Sequence, residues 1–600
     1  MPLNQVTENM PQDEAVGAGA VDAGAADARA ADARAVDAMV MNTGAVDAGA
    51  ADATAVDAAR RVIEDGRAAI GIELGSTRIK AVLIDENHAP IAAGNSDWEN
   101  RLEHGYWTYS LDDVWAGLRN CFSALARDVE SRYGVCLKSA RALGVSAMMH
   151  GYLAFDGDMN LLAPFRTWRN TTTEKAAAKL TGLFGFNIPM RWSVAHLYQA
   201  ILNGEEHLAR IARITTLSGY VHQMLTGRGV LGVGDASGMF PIDSATNDYN
   251  VAMADKFDEL VVESGYNFTI RGLLPEVLAA GDDAGVLTER GARMLDPEGG
   301  LAAGIPMCPP EGDGPTGMAA TNSVAPATGN ISAGTSIFAM AVLDGGLSNV
   351  YPEIDMITTP DGKPVAMVHC NNGTSDLDAW ARLFAEAGAL SGNTPDKDAL
   401  YNALYSAALN GEPDCGGILS YNYVAGEHMT GFEHGRPLLT RTPDAHFTLP
   451  NFMRAQLFAA MAGLKLGMDI LTEREHIRLA LLTGHGGLFK TKTAGQRLMA
   501  AALSTPIAVM ESAGEGGAWG MAILAAYRAY ISEAETAAGA CVPADDRNIS
   551  LAKYLADRVF NSAAASILEP DAVDVEGFSV YMERYVEGLA IERAAVEHLR

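Results

Sequence analysis

The chain has 600 residues, 48% of them hydrophobic and 20% charged, with a formal net charge of −30. This is globular composition with room for two or more domains, and so negative a field argues against nucleic acid and anionic membranes as partners. No apolar run reaches the roughly 18 residues that span a bilayer, the opening MPLNQVTENMPQDE has neither the basic start nor the apolar centre of a secretory signal, and the six cysteines form no CxxC pair, so neither a zinc site nor a disulfide framework is expected and the reducing cytoplasm is the expected compartment.

Residues 1–66 stand apart. They hold 12 Asp and Glu against 4 Arg, with Asp at 22, 27, 32, 37, 47, 52 and 57 in a background of Ala. A five-residue step advances about 140° around a helix and builds no apolar face. With no large apolar side chains to offset its ordering entropy, this segment is expected to be a disordered acidic tail. From Arg67 the pattern changes. GIELGS and IKAVLID read as two strands joined by a tight turn, and RALGVSAMM and GYLAFD as further strands. SLDDVWAGLRNCFSALARDVESRYG carries apolar residues at three-and-four spacing and is predicted to be a helix. Strands are predicted again at 329–344 and 364–370, a long helix at 450–473, and a strand followed by a glycine turn in LALLTGHGG at 479–487. Strands alternating with long helices make an α/β protein.

One of these elements recurs. GNISAGTSIFAMAVLD at 329–344 aligns with IGIELGSTRIKAVLID at a constant offset of 259: Gly334 falls on Gly75, Thr335 on Ser76, Ser336 on Thr77 and Asp344 on Asp85. Two copies of a strand, a glycine with two hydroxyl residues, and a second strand predict two lobes of similar design. Glycine lets backbone N–H groups approach phosphate oxygens, so the paired turns 75–77 and 334–336 suit a phosphate clamp. Glu73 would repel phosphate directly, and its place beside the turn makes sense with Mg²⁺ or its water between.

Several ordered motifs together resemble the FGGY carbohydrate kinases of the actin-like ATPase superfamily. They are GIELGSTRIKAVLID, GVSAMMHGYLAFD at 144–156, TWRNTTT at 167–173, GYVHQMLTGRGVLGVGDASGMFPID at 219–243, PPEGDGPTG at 309–317, GNISAGTS, TGHGGLFKTKTAGQRLMAAALSTPI at 483–507 and GEGGAWGMAILAAY at 514–527. The resemblance implies two actin-like (ribonuclease H-like) α/β lobes around a central cleft for ATP and sugar. Residues 67–320 would form the sugar-binding lobe with the catalytic base, and 321–600 the ATP-binding lobe with C-terminal helices. It implies ATP and Mg²⁺ as cofactors and a small ketose as substrate, and it leaves a homodimer open.

The resemblance also distributes roles. Asp235, in GVGDASG, is the expected general base, although the run by itself fits an ordinary turn aspartate equally well. Met149 and His150, at the end of a strand where ligands of α/β sheets gather, are expected to contact the sugar, with Trp168 and Arg169 in the pocket wall. Asp313 and Glu73 are the expected metal carboxylates, and Gly486 and Gly487 the backbone under adenine. Glu73 stands where the family has Asp, Met148 where it has Gln, Asn170 where it has Asp, and Thr172 where it has a sugar-binding Arg. These departures leave the sugar open. A ribulokinase-like subgroup resembles this chain in GIELGST and GHGGLFKTK, which places L-ribulose narrowly ahead of D-xylulose.

Overall fold

The structure is a computed structural model that describes residues 53–393, 395–491, 493–510, 516–536, 549–561 and 565–599. Most of the acidic tail, residues 1–52, therefore lies outside the described residues. Its last part is a helix, α1 (Ala53–Glu64), which corrects the expected start of the ordered chain at Arg67. The reason is local: the Asp repeat stops at Asp57 and the sequence turns to ARRVI, which places Val62 and Ile63 in the core of the first lobe.

In that lobe β1 (Ala69–Leu74) pairs antiparallel with β2 (Arg78–Ile84), which pairs antiparallel with β3 (Pro90–Asp97). The helix α2 (Leu111–Tyr133) starts where Ser110 Oγ accepts the Asp113 N–H and ends at Gly134 with φ +66°. Its buried stripe of Val114, Leu118, Phe122, Leu125 and Val129 is the face that the spacing predicted. β4 (Ala142–Ala147) runs parallel to β1. A long insertion of helices and short strands then contains the single turn α3 (Val233–Ala236), before β5 (Glu311–Gly312) joins β4 in parallel and leads into α4 (Asp313–Ala320).

The second lobe repeats the plan with β6 (Thr328–Ala333), β7 (Ile337–Val342), β8 (Ile354–Thr358), β9 (Pro364–Cys370), the buried helix α5 (Leu449–Asp469), β10 (Leu481–His485), β11 (Ile507–Met510), α6 (Gly516–Thr536) and β12 (Ala565–Leu568). The first sheet has the order β5-β4-β1-β2-β3. The second has β11-β10-β6-β7-β9 with the same parallel and antiparallel pairings, extended by β12 at one edge and β8 at the other. The internal repeat in the sequence is thus a repeat of whole sheets, and the expected pair of actin-like α/β lobes is present.

α4 and α6 lie at the junction of the lobes. α6 follows the second sheet in sequence yet packs on the first. A methyl group on Gly71 of β1 would lie 2.2 Å from the Ala518 carbonyl, and one on Gly520 would lie 2.1 Å from the Thr316 carbonyl of α4. Trp519 Nε1–H donates to the His88 carbonyl at 2.8 Å, and Arg141 grips Glu533 with two hydrogen bonds of 2.8 Å. The expected division at residue 320/321 is therefore crossed by this helix, because its small residues Gly517, Ala518 and Ala522 fit against β1 and its Met521 fills the space beside Gly144 of β4. The five cysteines among the described residues are free, and no described helix is long and apolar enough to cross a membrane.

Candidate active site

Asp235 lies in α3, 1% exposed. Its Oδ2 accepts hydrogen bonds from Thr216 Oγ1 at 2.7 Å and from Ser218 Oγ. Its Oδ1 is buried with no partner among the described residues. Gly312 faces that oxygen: a methyl group there would sit 3.4 Å from Oδ1 and 2.2 Å from Met149 Cγ, so the missing side chain lets Met149 pack beside the carboxylate. Burial pushes the Asp235 carboxyl up to about 7, the negative charge of Asp313 adds to this, and the two hydroxyls oppose it. An unpaired buried carboxylate oxygen costs about 1–3 kcal/mol, and it is the atom left to take a proton. Thr216 and Ser218 hold this carboxylate, and neither stands out in the sequence. The one local cue is TTLSG, where Thr216 caps the helix Leu217–Thr226 by accepting the Gly219 N–H.

His150 and Met149 meet Asp235 from β4. His150 has φ +70° and is followed by Gly151 with φ +91°, so the chain reverses sharply as it leaves the sheet. The His150 ring stacks on Trp192 with centroids 6.3 Å apart, and Nδ1–H donates to the Gly238 carbonyl at 3.2 Å. Burial, then the nearby Arg191 cation, hold its pKa well below the ordinary value. The ring is therefore neutral with Nε2 as an acceptor, the form suited to a sugar hydroxyl. Met149 packs against Gly312, and its N–H donates to Asp313 Oδ1 at 3.2 Å. Asp313 Oδ1 also accepts the Gly314 N–H at 3.0 Å. The side chain opens to solvent yet sits deep among protein atoms, and loss of hydration raises its carboxyl. The structure thus brings Asp235, Met149, His150 and Asp313 together.

Trp168 and Arg169 belong to an adjoining wall. The Arg169 guanidinium lies 3.6 Å over the Trp107 ring, and Trp168 Nε1 is buried without a partner among the described residues. Asn170 ties that wall together: its Oδ1 accepts the Trp107 N–H at 2.9 Å, and its Nδ2 donates to the carbonyls of Trp107 and Thr167. Met148 points into the first-lobe core, so the polar contact of a Gln is absent. Thr172 is exposed. The second lobe reaches the same centre through β8, where the Thr358 N–H donates to Ser237 Oγ at 3.1 Å and Thr358 Oγ1 donates to the Val233 carbonyl at 3.0 Å.

The two glycine-hydroxyl turns have their carbonyls drawn backward. In the first, the Gly75 carbonyl accepts Trp98 Nε1–H at 2.7 Å, Thr77 accepts the Trp98 N–H, and Ser76 accepts Tyr109 Oη–H. Trp98 and Tyr109 stack at 4.1 Å to form the support. In the second, the Gly334 carbonyl accepts the Thr374 N–H and hydroxyl, and Thr335 accepts the Gly373 N–H at 2.7 Å. Removing carbonyl oxygens from the front of each turn leaves donors to face an anion. Gly486, with φ +98°, stacks its backbone on Ala333, directly before Gly334; a methyl group there would lie 2.5 Å from the Ala333 carbonyl. Gly487 opens the following turn of helix. The Gly-Gly turn and the second glycine-hydroxyl turn therefore form one surface.

Glu73 sits where β1, α4 and α6 converge. Its Oε2 accepts the Ala518 N–H in the first turn of α6 at 3.2 Å, and its Oε1 occupies the space that a side chain on Gly517 would need, next to Thr316. A carboxylate is favoured at a helix N-terminus, and the extra methylene of Glu over Asp provides the reach. Glu73 and Asp313 offer hard oxygen donors, and among the described residues no group of three or more His, Cys, Asp or Glu gathers to hold a metal. That donor set fits Mg²⁺, which takes one or two carboxylates and completes its shell with water and phosphate oxygens. Lys492 and residues 511–515, which include the start of GEGGAWG, lie outside the described residues.

Comparison with known proteins bears on this geometry. The sequence profile of the N-terminal domain of the FGGY family of carbohydrate kinases matches residues 68–319, and that of the C-terminal domain matches residues 329–529. The xylulose kinase of Escherichia coli (strain K12) is 23% identical over 286 residues, covering 46% of this chain and 55% of that protein. The chain thus matches about half the length of the curated relatives. The solved xylulose kinase from Lactobacillus acidophilus has a TM-score of 0.69 at 16% identity, and the gluconate kinase from the same organism 0.68 at 16%; each comparison covers 89% of this chain and 99% of the other. Two kinases titled for different sugars match this backbone equally well, so the likeness speaks to the fold alone.

Proposed function

The chain belongs to the FGGY family of carbohydrate kinases, and on that premise we propose that it transfers the γ-phosphate of ATP to a hydroxyl of a ketose. The observation that carries this reading is Asp235: a buried carboxylate with one oxygen fixed by two hydroxyls and the other unpaired beside Gly312 and Met149.

The ketose lies against His150 and Met149, with the reacting hydroxyl at Asp235 Oδ1. The hydroxyl proton passes to Asp235 as its oxygen bonds to the γ-phosphorus. The bond from that phosphorus to the β–γ bridging oxygen breaks, and ADP leaves with the electron pair. The turns 75–77 and 334–336 hold the phosphates, and the Gly486-Gly487 surface carries adenine. Bound Mg²⁺ supplies neutralisation of the β- and γ-oxygens, with Glu73 and Asp313 as the carboxylates to hold it. Contact of β8 with α3 ties lobe closure to the base, which limits loss of ATP to water.

The substrate class is a pentulose. D-xylulose takes precedence over L-ribulose, because the curated relatives bear the name xylulose kinase. A coupled assay of ADP release with D-xylulose, L-ribulose, other ketoses, gluconate and glycerol tests both levels. Ketose-dependent ADP release supports the kinase, and the highest kcat/KM names the sugar. Ketose binding by calorimetry with no ketose-dependent ADP release would remove the kinase reading.

A further inference from the structure

Glu311 is a buried carboxylate that the reaction above does not use. It is 1% exposed, in the two-residue strand β5 beneath Asp235. Its Oε2 accepts the N–H of Asp235 at 2.9 Å and of Gly312 at 3.3 Å, and its Oε1 accepts the N–H of Gly234 at 3.3 Å. The glycines of GVGDASG make room for it. A methyl group on Gly232 would lie 2.3 Å from Oε1, and one on Gly234 would lie 2.5 Å from Oε2. These glycines therefore seat the Glu311 carboxylate.

The next two residues continue the same line. Gly312 faces both Asp235 Oδ1 and the Met149 side chain, and Asp313 accepts the Met149 N–H. One tripeptide, Glu311-Gly312-Asp313, therefore touches in turn the backbone of the base, its free oxygen and the sugar-side Met149. A buried carboxylate is costly unless several donors satisfy it. Here the donors are the peptide groups that orient Asp235, and a residue needed only for packing would not have to accept them.

We propose that Glu311 is a positioning residue: it fixes the backbone of α3 so that Asp235 Oδ1 faces the reacting hydroxyl. This rests on the reading of Asp235 as the base. The test uses the full chain and the best ketose from the panel, with Glu311→Gln, Gly234→Ala and Asp235→Asn compared. Glu311→Gln turns one acceptor into a donor that faces a peptide N–H. Gly234→Ala crowds the carboxylate from the opposite side without altering it. Each is expected to lower kcat about 10- to 100-fold, the usual effect of losing a partner that orients a reacting group, with ketose Kd by calorimetry and ATP KM within about twofold of the parent. Glu311→Asp retains the charge and is expected to recover part of kcat.

Unchanged kcat in both Glu311→Gln and Gly234→Ala, with Asp235→Asn inactive, would overturn the role of Glu311 and leave the base in place. Losses of kcat that track equal losses of ketose binding and of Tm would also overturn it, as the mark of a structural residue. Full turnover in Asp235→Asn would instead overturn the base reading itself, and with it the positioning role.

Discussion

The two glycine-hydroxyl turns are built on one plan and differ in what stands behind them. In the first, Leu74 pairs with Ile79 around residues 75–78; in the second, Ala333 pairs with Ile337 around residues 334–336, a tighter turn. The sequence offset of 259 therefore holds for the first strand of each hairpin, while the pairing of the second strand slips by one residue. The chemistry differs more. Glu73 precedes the first turn and Ser332 holds the matching place before the second. Asp235, Asp313 and Glu73 all belong to the first lobe, whereas the second offers backbone, hydroxyls and the Gly486 surface. The acidic residues of the candidate site thus fall in the first lobe and its neutral turns in the second, a division to which the proposed function assigns protons and metal on one side and nucleotide on the other.

This division is open to direct attack. The largest effect is expected from Asp235→Asn, which should lower kcat by about 10²- to 10⁴-fold with ATP KM unchanged; a rise in ATP KM would mean that the halves are not separate in function. Gly486→Ala attacks the neutral half. It forces a side chain to φ +98° and against the Ala333 carbonyl, a strain of about 1–3 kcal/mol, and should raise ATP KM while ketose Kd by calorimetry stays constant.

pH acts next. Asp235 must be ionised to accept a proton, so kcat should rise with pH through a midpoint near its raised value of about 7. Stability runs the other way. The folded pKa lies above the ordinary 3.8, so the folded state holds the proton more tightly, and this contribution is lost as pH rises from 3.8 through about 7. Asp235→Asn should therefore have a higher Tm than the parent above pH 7, with the gap closing toward pH 4. The smallest effect is expected from Glu73→Asp, which withdraws the carboxylate from the Ala518 N–H. It should cost about 0.3–1 kcal/mol in denaturant unfolding and shift the Mg²⁺ dependence of turnover; no change in either would separate Glu73 from both roles.

Much of this was legible in the chain, for identifiable reasons. The hairpins are short-range patterns repeated with their glycine and hydroxyls in step, and the motifs carrying His150, Asp235 and Asp313 each sit at the end of a strand or in a glycine-rich turn. What stayed hidden depends on distant partners. Thr216 and Ser218 lie 19 and 17 residues before Asp235, and Glu311 lies 76 after it, so no local period marks them. Asn170 reads as a departure from a sugar-binding pattern and proves to be the clasp of the Trp107 strand. The reach of Glu73 is intelligible only once α6, 445 residues away, is in place.

The placement of α6 also has a consequence for how the protein is made. Synthesis proceeds from the N-terminus, so a chain grown to residue 330 has every strand of the first sheet but not the helix that covers β1 and β4. That apolar surface must wait for some two hundred further residues, and domains generally fold as units only when their own cover is present. The half begun first is thus completed last. A fragment ending at the apparent boundary near residue 320 is expected to expose this face and aggregate, and supplying residues 321–600 as a separate chain should rescue it.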